Sequence, residues 1–136
     1  MGKSASGKDT LFKKLKERLP ELKTIVLYTT RPIREKETEG VEYHFVDEEK
    51  LQEFQKRGKV IELREYNTVH GLWRYFTVDD GQFNADDNYI GIGTLESYRA
   101  MKAYFGKERL VPIYIEVEDG VRLERALARE KAQKEP

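Results

Sequence analysis

The chain has 136 residues, of which 25 are basic and 25 acidic, so its formal net charge is zero. This length predicts one domain with a hydrophobic core, and the balanced charge argues against a nucleic-acid partner. The chain has no cysteine, which excludes a disulfide framework and a thiol nucleophile. No apolar run has the length of a membrane span and no signal-peptide pattern opens the chain, so we expect a cytoplasmic protein with no membrane partner.

The first motif is a glycine-rich loop, Gly2 to Lys8, which fits the pattern Gly-x4-Gly-Lys. Glycines let successive backbone N–H groups turn toward a polyphosphate, and the following helix points its positive end at the same anion. The lysine of such a loop reaches the outer phosphates. The motif therefore predicts a nucleotide site made by Gly2, Lys3, Ser4, Ala5, Ser6, Gly7, Lys8, Asp9 and Thr10.

Two features of this loop are unusual. Asp9 stands where serine or threonine normally holds Mg²⁺, so the Asp9 carboxylate and the Thr10 hydroxyl are our candidate metal ligands. A loop of this kind also normally follows a buried strand, and none stands before Gly2. We therefore expect either that residues precede Met1 in the gene product or that the chain binds nucleotide poorly.

Helical and strand patterns alternate along the rest of the chain. Apolar spacing and capping residues predict helices over 9–19, 48–57, 95–105 and 120–131, and a frayed polar tail over 130–136. Apolar or alternating runs predict strands over 24–28, 41–46, 60–66, 72–78, 89–93 and 110–117. Strand–helix alternation at both ends predicts a parallel α/β sheet, whereas the hairpin in the middle third predicts a small α+β insert.

Arg31 and Arg34 follow the buried strand over 24–28, with Pro32 between them. Ligands of open α/β sheets bind where such strands end, and the planar fork of arginine suits phosphate oxygens. The pair therefore predicts a second phosphate site, although two arginines in a solvated loop are an equally good interpretation of this segment alone.

Three motifs in order give a more specific signal: Thr29-Thr30-Arg31-Pro32-x-Arg34, Gly40-Val41-Glu42-Tyr43-x-Phe45-Val46 and Val60-Ile61-Glu62. Their order and spacing resemble the guanylate kinase family. The resemblance implies an α/β P-loop kinase fold, a three-layer parallel sheet in a single domain over 1–136, with 31–88 as an inserted GMP-binding subdomain. It also implies transfer of the γ-phosphoryl group of ATP to GMP, with Mg²⁺ as cofactor. Relative to the family, the chain looks truncated at both ends.

The resemblance also implies roles for individual residues. Arg31, Arg34 and Tyr43 would hold the GMP phosphate. Glu62 would read guanine, whose adjacent N–H donors suit an acceptor-only carboxylate. Tyr75 and Thr77 align less clearly, because Phe76 replaces a glycine and extra residues precede Tyr75. The residues expected to grip the transferring phosphoryl group are Lys8, Arg125 and Arg129.

Departures from the family pattern leave alternatives open. The family has an Asp-x-Asp pair where this chain has Ile90 to Thr94, without a carboxylate. One alternative is a related P-loop kinase for another phosphate ester, such as a ribose bisphosphate. Another is a non-catalytic guanylate-kinase-like binding module. Glu62 could also be a solvent-facing strand residue, and Arg125 and Arg129 could be ordinary surface charges. The sequence predicts no oligomeric state.

Overall fold

The computed structural model describes residues 1–3 and 5–132. Ser4, a predicted nucleotide contact, and residues 133–136 of the predicted tail lie outside the described residues. The helices are α1 (Lys8–Arg18), α2 (Glu48–Lys56), α3 (Leu95–Phe105) and α4 (Asp119–Ala132), with a 3₁₀ turn at Lys107–Arg109. The strands are β1 (Lys23–Thr24), β2 (Leu27–Thr29), β3 (Tyr43–Phe45), β4 (Val60–Thr68), β5 (Gly71–Val78) and β6 (Tyr89–Ile90). No helix within the described ranges is long and apolar enough to cross a membrane.

The strands form two sheets. β1 and β6 pair in parallel, and a larger mixed sheet has the strand order β3-β2-β5-β4. Within the mixed sheet β2 is parallel to β3, while β5 is antiparallel to both β2 and β4. The predicted α/β class and the hairpin of the middle third are therefore confirmed.

The predicted strand over 24–28 is divided between the two sheets. Its first part is β1 and its last part is β2, and Val26 lies at the passage between them. The Gln82 side chain satisfies the backbone there: its amide oxygen accepts from the Val26 N–H at 3.0 Å, and its amide nitrogen donates to the Val26 carbonyl at 3.2 Å. Because a side chain replaces the neighbouring strand at this point, one apolar run can serve two sheets.

The principal core lies between α2 and one face of the mixed sheet. Its buried apolar residues are Tyr28, Leu51, Phe76 and Val78. The Asp47 side chain accepts from the Lys50 N–H at 2.9 Å and caps α2, as predicted. Because alternate residues of a strand point to opposite faces, Phe76 and Val78 bury one face of β5 in the core, and the residues that alternate with them lie on the opposite face.

The predicted strand over 110–117 is wrong for the described chain. Its backbone pairs only at its centre, through a parallel bridge between Ile115 and Gly2. The Ile115 N–H donates to the Met1 carbonyl at 2.7 Å, and the Met1 amino group donates to the Ile113 carbonyl at 2.6 Å. A strand needs a continuous partner, and Met1 and Gly2 supply two residues, so Val111 stays 83% exposed despite its strand propensity.

Candidate functional site

The glycine-rich loop turns sharply before α1. Ala5 and Gly7 both have positive φ, of 59° and 89°, and Gly7 is the residue at which α1 begins. Positive φ is easy for glycine and uncommon for other residues. The turn leaves the first N–H groups of α1 without helical partners, as an anion-binding helix terminus requires.

Ser6 lies beneath this turn. Its side chain is 4% exposed, and its hydroxyl oxygen has no hydrogen-bond partner among the described residues. A Cβ atom at Gly2 would lie 2.6 Å from that oxygen and 3.0 Å from the Ile115 carbonyl oxygen, so a larger residue there would require a shift. A buried polar group without a partner is uncommon in proteins. The Ser6 hydroxyl is therefore available to a polar ligand held by the loop.

Positive groups gather around the same loop. Burial and then the charge of Lys8 lower the pKa of the Met1 amino group. An Arg125 guanidinium N–H donates to the Ala5 carbonyl at 3.3 Å, which brings α4 to the loop. Arg129 lies one helical turn further along α4. The loop is thus a positive region suited to a polyphosphate.

The predicted metal ligands lie at the start of α1. Asp9 and Thr10 are both exposed there, and the described residues hold no cluster of three or more His, Asp or Glu side chains that could bind a metal alone. Mg²⁺ is commonly held by one or two carboxylates together with substrate phosphates. The donor set fits an Mg²⁺ ion that arrives with a nucleotide.

A second group of polar residues occupies the mixed-sheet face opposite the core. Strand register places Glu62 opposite Thr77 and Tyr75 opposite both Arg64 and Thr29. We call this surface the polar face; its residues are Thr29, Tyr43, Phe45, Glu62, Arg64, Tyr75 and Thr77. Phe76 lies between Tyr75 and Thr77 and points into the core, where it is fully buried.

Arg31 lies at the end of β2 and is 3% exposed. Its guanidinium donates to both carboxylate oxygens of Glu37, at 2.8 Å each, and lies 5.5 Å from the ring centres of Tyr43 and Phe45. The hydrogen bond from Arg31, more than any other contact, lowers the pKa of Glu37. The Arg31 guanidinium is therefore a fixed charge, held by two hydrogen bonds to a carboxylate and by its packing near two aromatic rings.

Glu37 also organises the arginine loop, because its Oε1 atom accepts from the Arg34 backbone N–H at 2.9 Å. Beside this loop is a cavity of about 330 Å³. Its lining residues are Arg31, Pro32, Ile33, Arg34, Glu35, His70 and Trp73. The His70 and Trp73 rings stack with centres 5.8 Å apart, so the cavity joins two cationic side chains to an aromatic wall.

Two tyrosines lie next to Arg31 on the polar face. Their ring centres, those of Tyr43 and Tyr75, are 5.6 Å apart. Burial raises the pKa of Tyr43, with the nearby Tyr75 adding to the rise. Tyr43 thus keeps its proton at neutral pH and can donate to an anion that approaches Arg31.

Glu62 is buried on the same face, with 6% of its surface exposed. The Thr77 hydroxyl donates to Glu62 Oε1 at 2.7 Å. Arg64 donates from Nε to Oε2 at 3.1 Å and from Nη2 to Oε1 at 3.4 Å. These hydrogen bonds orient the carboxylate in a place that largely excludes water.

The structure brings together most of the residues that the family resemblance names for GMP binding. Arg31, Tyr43 and Tyr75 are neighbours, and Glu62 contacts Thr77 further along the same face. The interpretation of Glu62 as a solvent-facing residue is wrong, because it is buried. The ligand roles of all these side chains remain predictions.

Sequence reasoning missed two residues that hold the predicted GMP-binding side chains in place. Glu37 was part of an undifferentiated polar stretch, and only the fold shows that it pairs with Arg31. Arg64 carried a usable signal, because a residue two positions after Glu62 in a strand shares its face. Trp73, on β5, lines the cavity beside Arg34.

The segment Ile90 to Thr94 has a structural use in place of the family's carboxylates. It ends β6 and leads into α3, where Thr94 and Ser97 form a reciprocal capping box. The Ser97 hydroxyl accepts from the Thr94 N–H at 2.8 Å. This stretch supplies no carboxylate to the site.

Comparisons with known proteins agree with this geometry. The family model described as guanylate kinase matches residues 1–72. A guanylate kinase of Frankia casuarinae is 49% identical over 61 residues, or 45% of this chain and 33% of the relative. A guanylate kinase of Mycobacterium tuberculosis is 41% identical over 70 residues, or 52% of this chain and 32% of the relative. The chain thus spans about a third of the length of these curated relatives.

A solved structure extends the similarity beyond residue 72. The crystal structure of guanylate kinase from Anaplasma phagocytophilum matches with a TM-score of 0.65 and 26% identity. The match covers 96% of this chain and 68% of that one. The predicted α/β kinase fold is confirmed by this match, and with residues 1–72 of 136 matched by the family model, the chain belongs to the guanylate kinase family.

Proposed function

We propose that the chain transfers the γ-phosphoryl group of ATP to GMP, giving ADP and GDP. The observation that carries the proposal is the polar face, on which Arg31, Tyr43 and Tyr75 adjoin Glu62 and Thr77. At the arginine end of the face, the positive side chain would pair with the phosphate. At the other end, the Glu62 carboxylate would accept hydrogen bonds from the guanine base. The arrangement supports one domain over 1–136, with 31–88 as the GMP-binding subdomain.

The donor nucleotide would lie at the glycine-rich loop. The first N–H groups of α1, the Ser6 hydroxyl and Lys8 would hold its phosphates, and Arg125 lies close enough to the loop to neutralise charge on the transferring group. Asp9 and Thr10 would hold Mg²⁺ that arrives with ATP, and the ion would supply further charge neutralisation. Phosphoryl transfer needs positioning and charge neutralisation more than covalent chemistry, so this set of residues is adequate.

The acceptor phosphate would meet a nearly fixed arginine. The Arg31 guanidinium already pairs with Glu37 at 2.8 Å, so an incoming phosphate either shares the remaining N–H donors or displaces that carboxylate. Arg34 lines the adjoining cavity and is the more exposed of the two cations, since Arg31 is 3% exposed and Arg34 is only partly buried. Tyr43 would add a hydroxyl donor from the same side.

The test of the acceptor is Glu62→Gln, with GMP binding followed by calorimetry. We expect the affinity for GMP to fall by about 10- to 100-fold, because the amide has one acceptor oxygen and the carboxylate has two. Glu65→Gln is the matched control on the same strand, since the Glu65 side chain is 50% exposed and pairs with Arg74 rather than with Glu62. Unchanged GMP affinity in Glu62→Gln would refute the base-reading role.

The test of the donor is Lys8→Ala, with Lys14→Ala as the control on the exposed side of the same helix. ATP affinity should fall about tenfold or more in the first variant and stay unchanged in the second.

The missing carboxylates over Ile90 to Thr94 favour a second candidate, a kinase for another phosphate ester such as a ribose bisphosphate. A coupled assay across GMP, AMP, dTMP and ribose phosphates separates the two. Binding of both nucleotides without turnover in that assay would instead identify a non-catalytic binding module.

A further inference from the structure

Arg64 lies on β4, an edge strand of the mixed sheet, and apart from its hydrogen bonds to Glu62 it has no contact with the ligand in the site proposed above. It stands two residues after Glu62 on β4 and opposite Tyr75 on β5. Its side chain is 12% exposed, and its guanidinium carbon lies 6.0 Å from the centre of the Tyr75 ring. A guanidinium this buried is held by Glu62 on one side and by an aromatic ring on the other.

The contacts of Glu62 leave it short of acceptor positions. A carboxylate offers about four, two on each oxygen. The Thr77 hydroxyl and two Arg64 N–H groups take three of them, so one position on Oε2 remains. Guanine presents two adjacent donors, N1–H and the 2-amino group, and the second can be accepted only when the weakest contact, Arg64 Nη2 at 3.4 Å, gives way.

The same contacts leave Arg64 with unused donors. A guanidinium has five N–H groups, and two point at Glu62. Beside N1–H on guanine lies O6, an acceptor. Arginine is the side chain that most often donates to O6 of guanine. Adenine places an amino donor there, which would face the arginine N–H groups with like polarity.

We propose that Arg64 is a specificity-determining residue that donates to O6 of the base while Glu62 accepts from N1–H and the 2-amino group. This inference rests on the proposed function, since it concerns the same acceptor site. Glu62 and Arg64 together present acceptors beside donors, which complement the guanine edge and would face the adenine edge with like polarity.

The probe is 6-thio-GMP, which keeps N1–H and the 2-amino group and replaces O6 with sulfur, a weak acceptor. Calorimetry of the 136-residue chain should give a dissociation constant for 6-thio-GMP about tenfold above that for GMP, the discrimination expected of one good arginine–base contact. In Arg64→Ala the ratio should fall to near one, and in Arg64→Lys it should lie between. Arg57→Ala, an exposed arginine at the end of α2, should keep the wild-type ratio.

The outcomes separate the two claims. A wild-type chain that binds no GMP overturns the proposed function. If the chain binds GMP, either of two results overturns the Arg64 assignment alone. One is a wild-type ratio of the 6-thio-GMP and GMP dissociation constants near one. The other is an equal loss of affinity for both ligands in Arg64→Ala, as a purely structural role would give. A variant that fails to fold is replaced by Arg64→Gln, and the wild-type ratio alone can still refute the inference.

Discussion

The ion pair between Arg31 and Glu37 predicts a large stability loss in Glu37→Ala. The substitution removes two hydrogen bonds of 2.8 Å from the guanidinium and one of 2.9 Å from the Arg34 N–H. The guanidinium, 3% exposed in the wild type, would keep its bond to the Pro32 carbonyl at 3.1 Å and its aromatic neighbours but would lose its carboxylate partner. Breaking a buried pair by removing one partner costs about 3–5 kcal/mol. Glu37 is partly open to water, with 14% of its side chain exposed, so we expect about 3 kcal/mol.

Urea unfolding followed by circular dichroism measures this loss, and in a domain of this size the melting temperature should fall by about 10 °C. The control is Glu53→Ala, whose side chain is 43% exposed and pairs with Lys50 and Arg57 on the surface of α2. Surface pairs contribute about 0–1 kcal/mol. If Glu37→Ala costs no more than Glu53→Ala, the Arg31–Glu37 pair does not stabilise the fold.

The same pair predicts a pH dependence. Arg31 lowers the pKa of Glu37 below its ordinary value of 4.5. A group whose pKa is depressed by folding stabilises the fold above its unfolded pKa, and that stability is lost as the pH falls through the folded value. The unfolding free energy of the wild type should therefore decline in acid below about pH 4.5. The decline should be smaller in Glu37→Gln, which has no carboxyl group to titrate at this position. An identical acid decline in Glu37→Gln would contradict the assignment.

Two further predictions follow from backbone and core geometry. Gly7→Ala should destabilise the chain by about 1–2 kcal/mol because φ is 89° there. Gly120→Ala should stabilise α4 by about 0.5–1 kcal/mol, since a Cβ would meet only a Glu118 oxygen at 3.9 Å. Equal effects of the two substitutions on the thermal melt would refute the argument from backbone strain at Gly7. Phe76→Ala should cost about 3–5 kcal/mol because the ring is fully buried, while Val69→Ala, at 97% exposed, should change the unfolding free energy by less than about 0.5 kcal/mol.

Local patterns predicted most of the helices and strands well. α2 begins after Asp47 and α3 after Thr94, because both caps are made by side chains close in sequence to the helices they begin. Patterns that depend on distant partners were less reliable. The run over 24–28 divides between two sheets because Gln82, far along the chain, bonds to its centre. Among the described residues, the backbone of the run over 110–117 pairs with Met1 and Gly2 near Ile115, which gives an isolated bridge and no strand.

The sequence by itself determined the family and predicted two phosphate sites, because these signals are short motifs whose spacing is fixed by backbone geometry: the glycine-rich loop, the Arg31–Arg34 segment and Glu62. Tertiary structure decided the partners of those residues. Glu37 lies six residues from Arg31 across a turn, and Thr77 reaches Glu62 across the β4–β5 pairing. Which donor meets which carboxylate depends on strand register and loop path, and these are set by packing over the whole fold rather than by any local pattern.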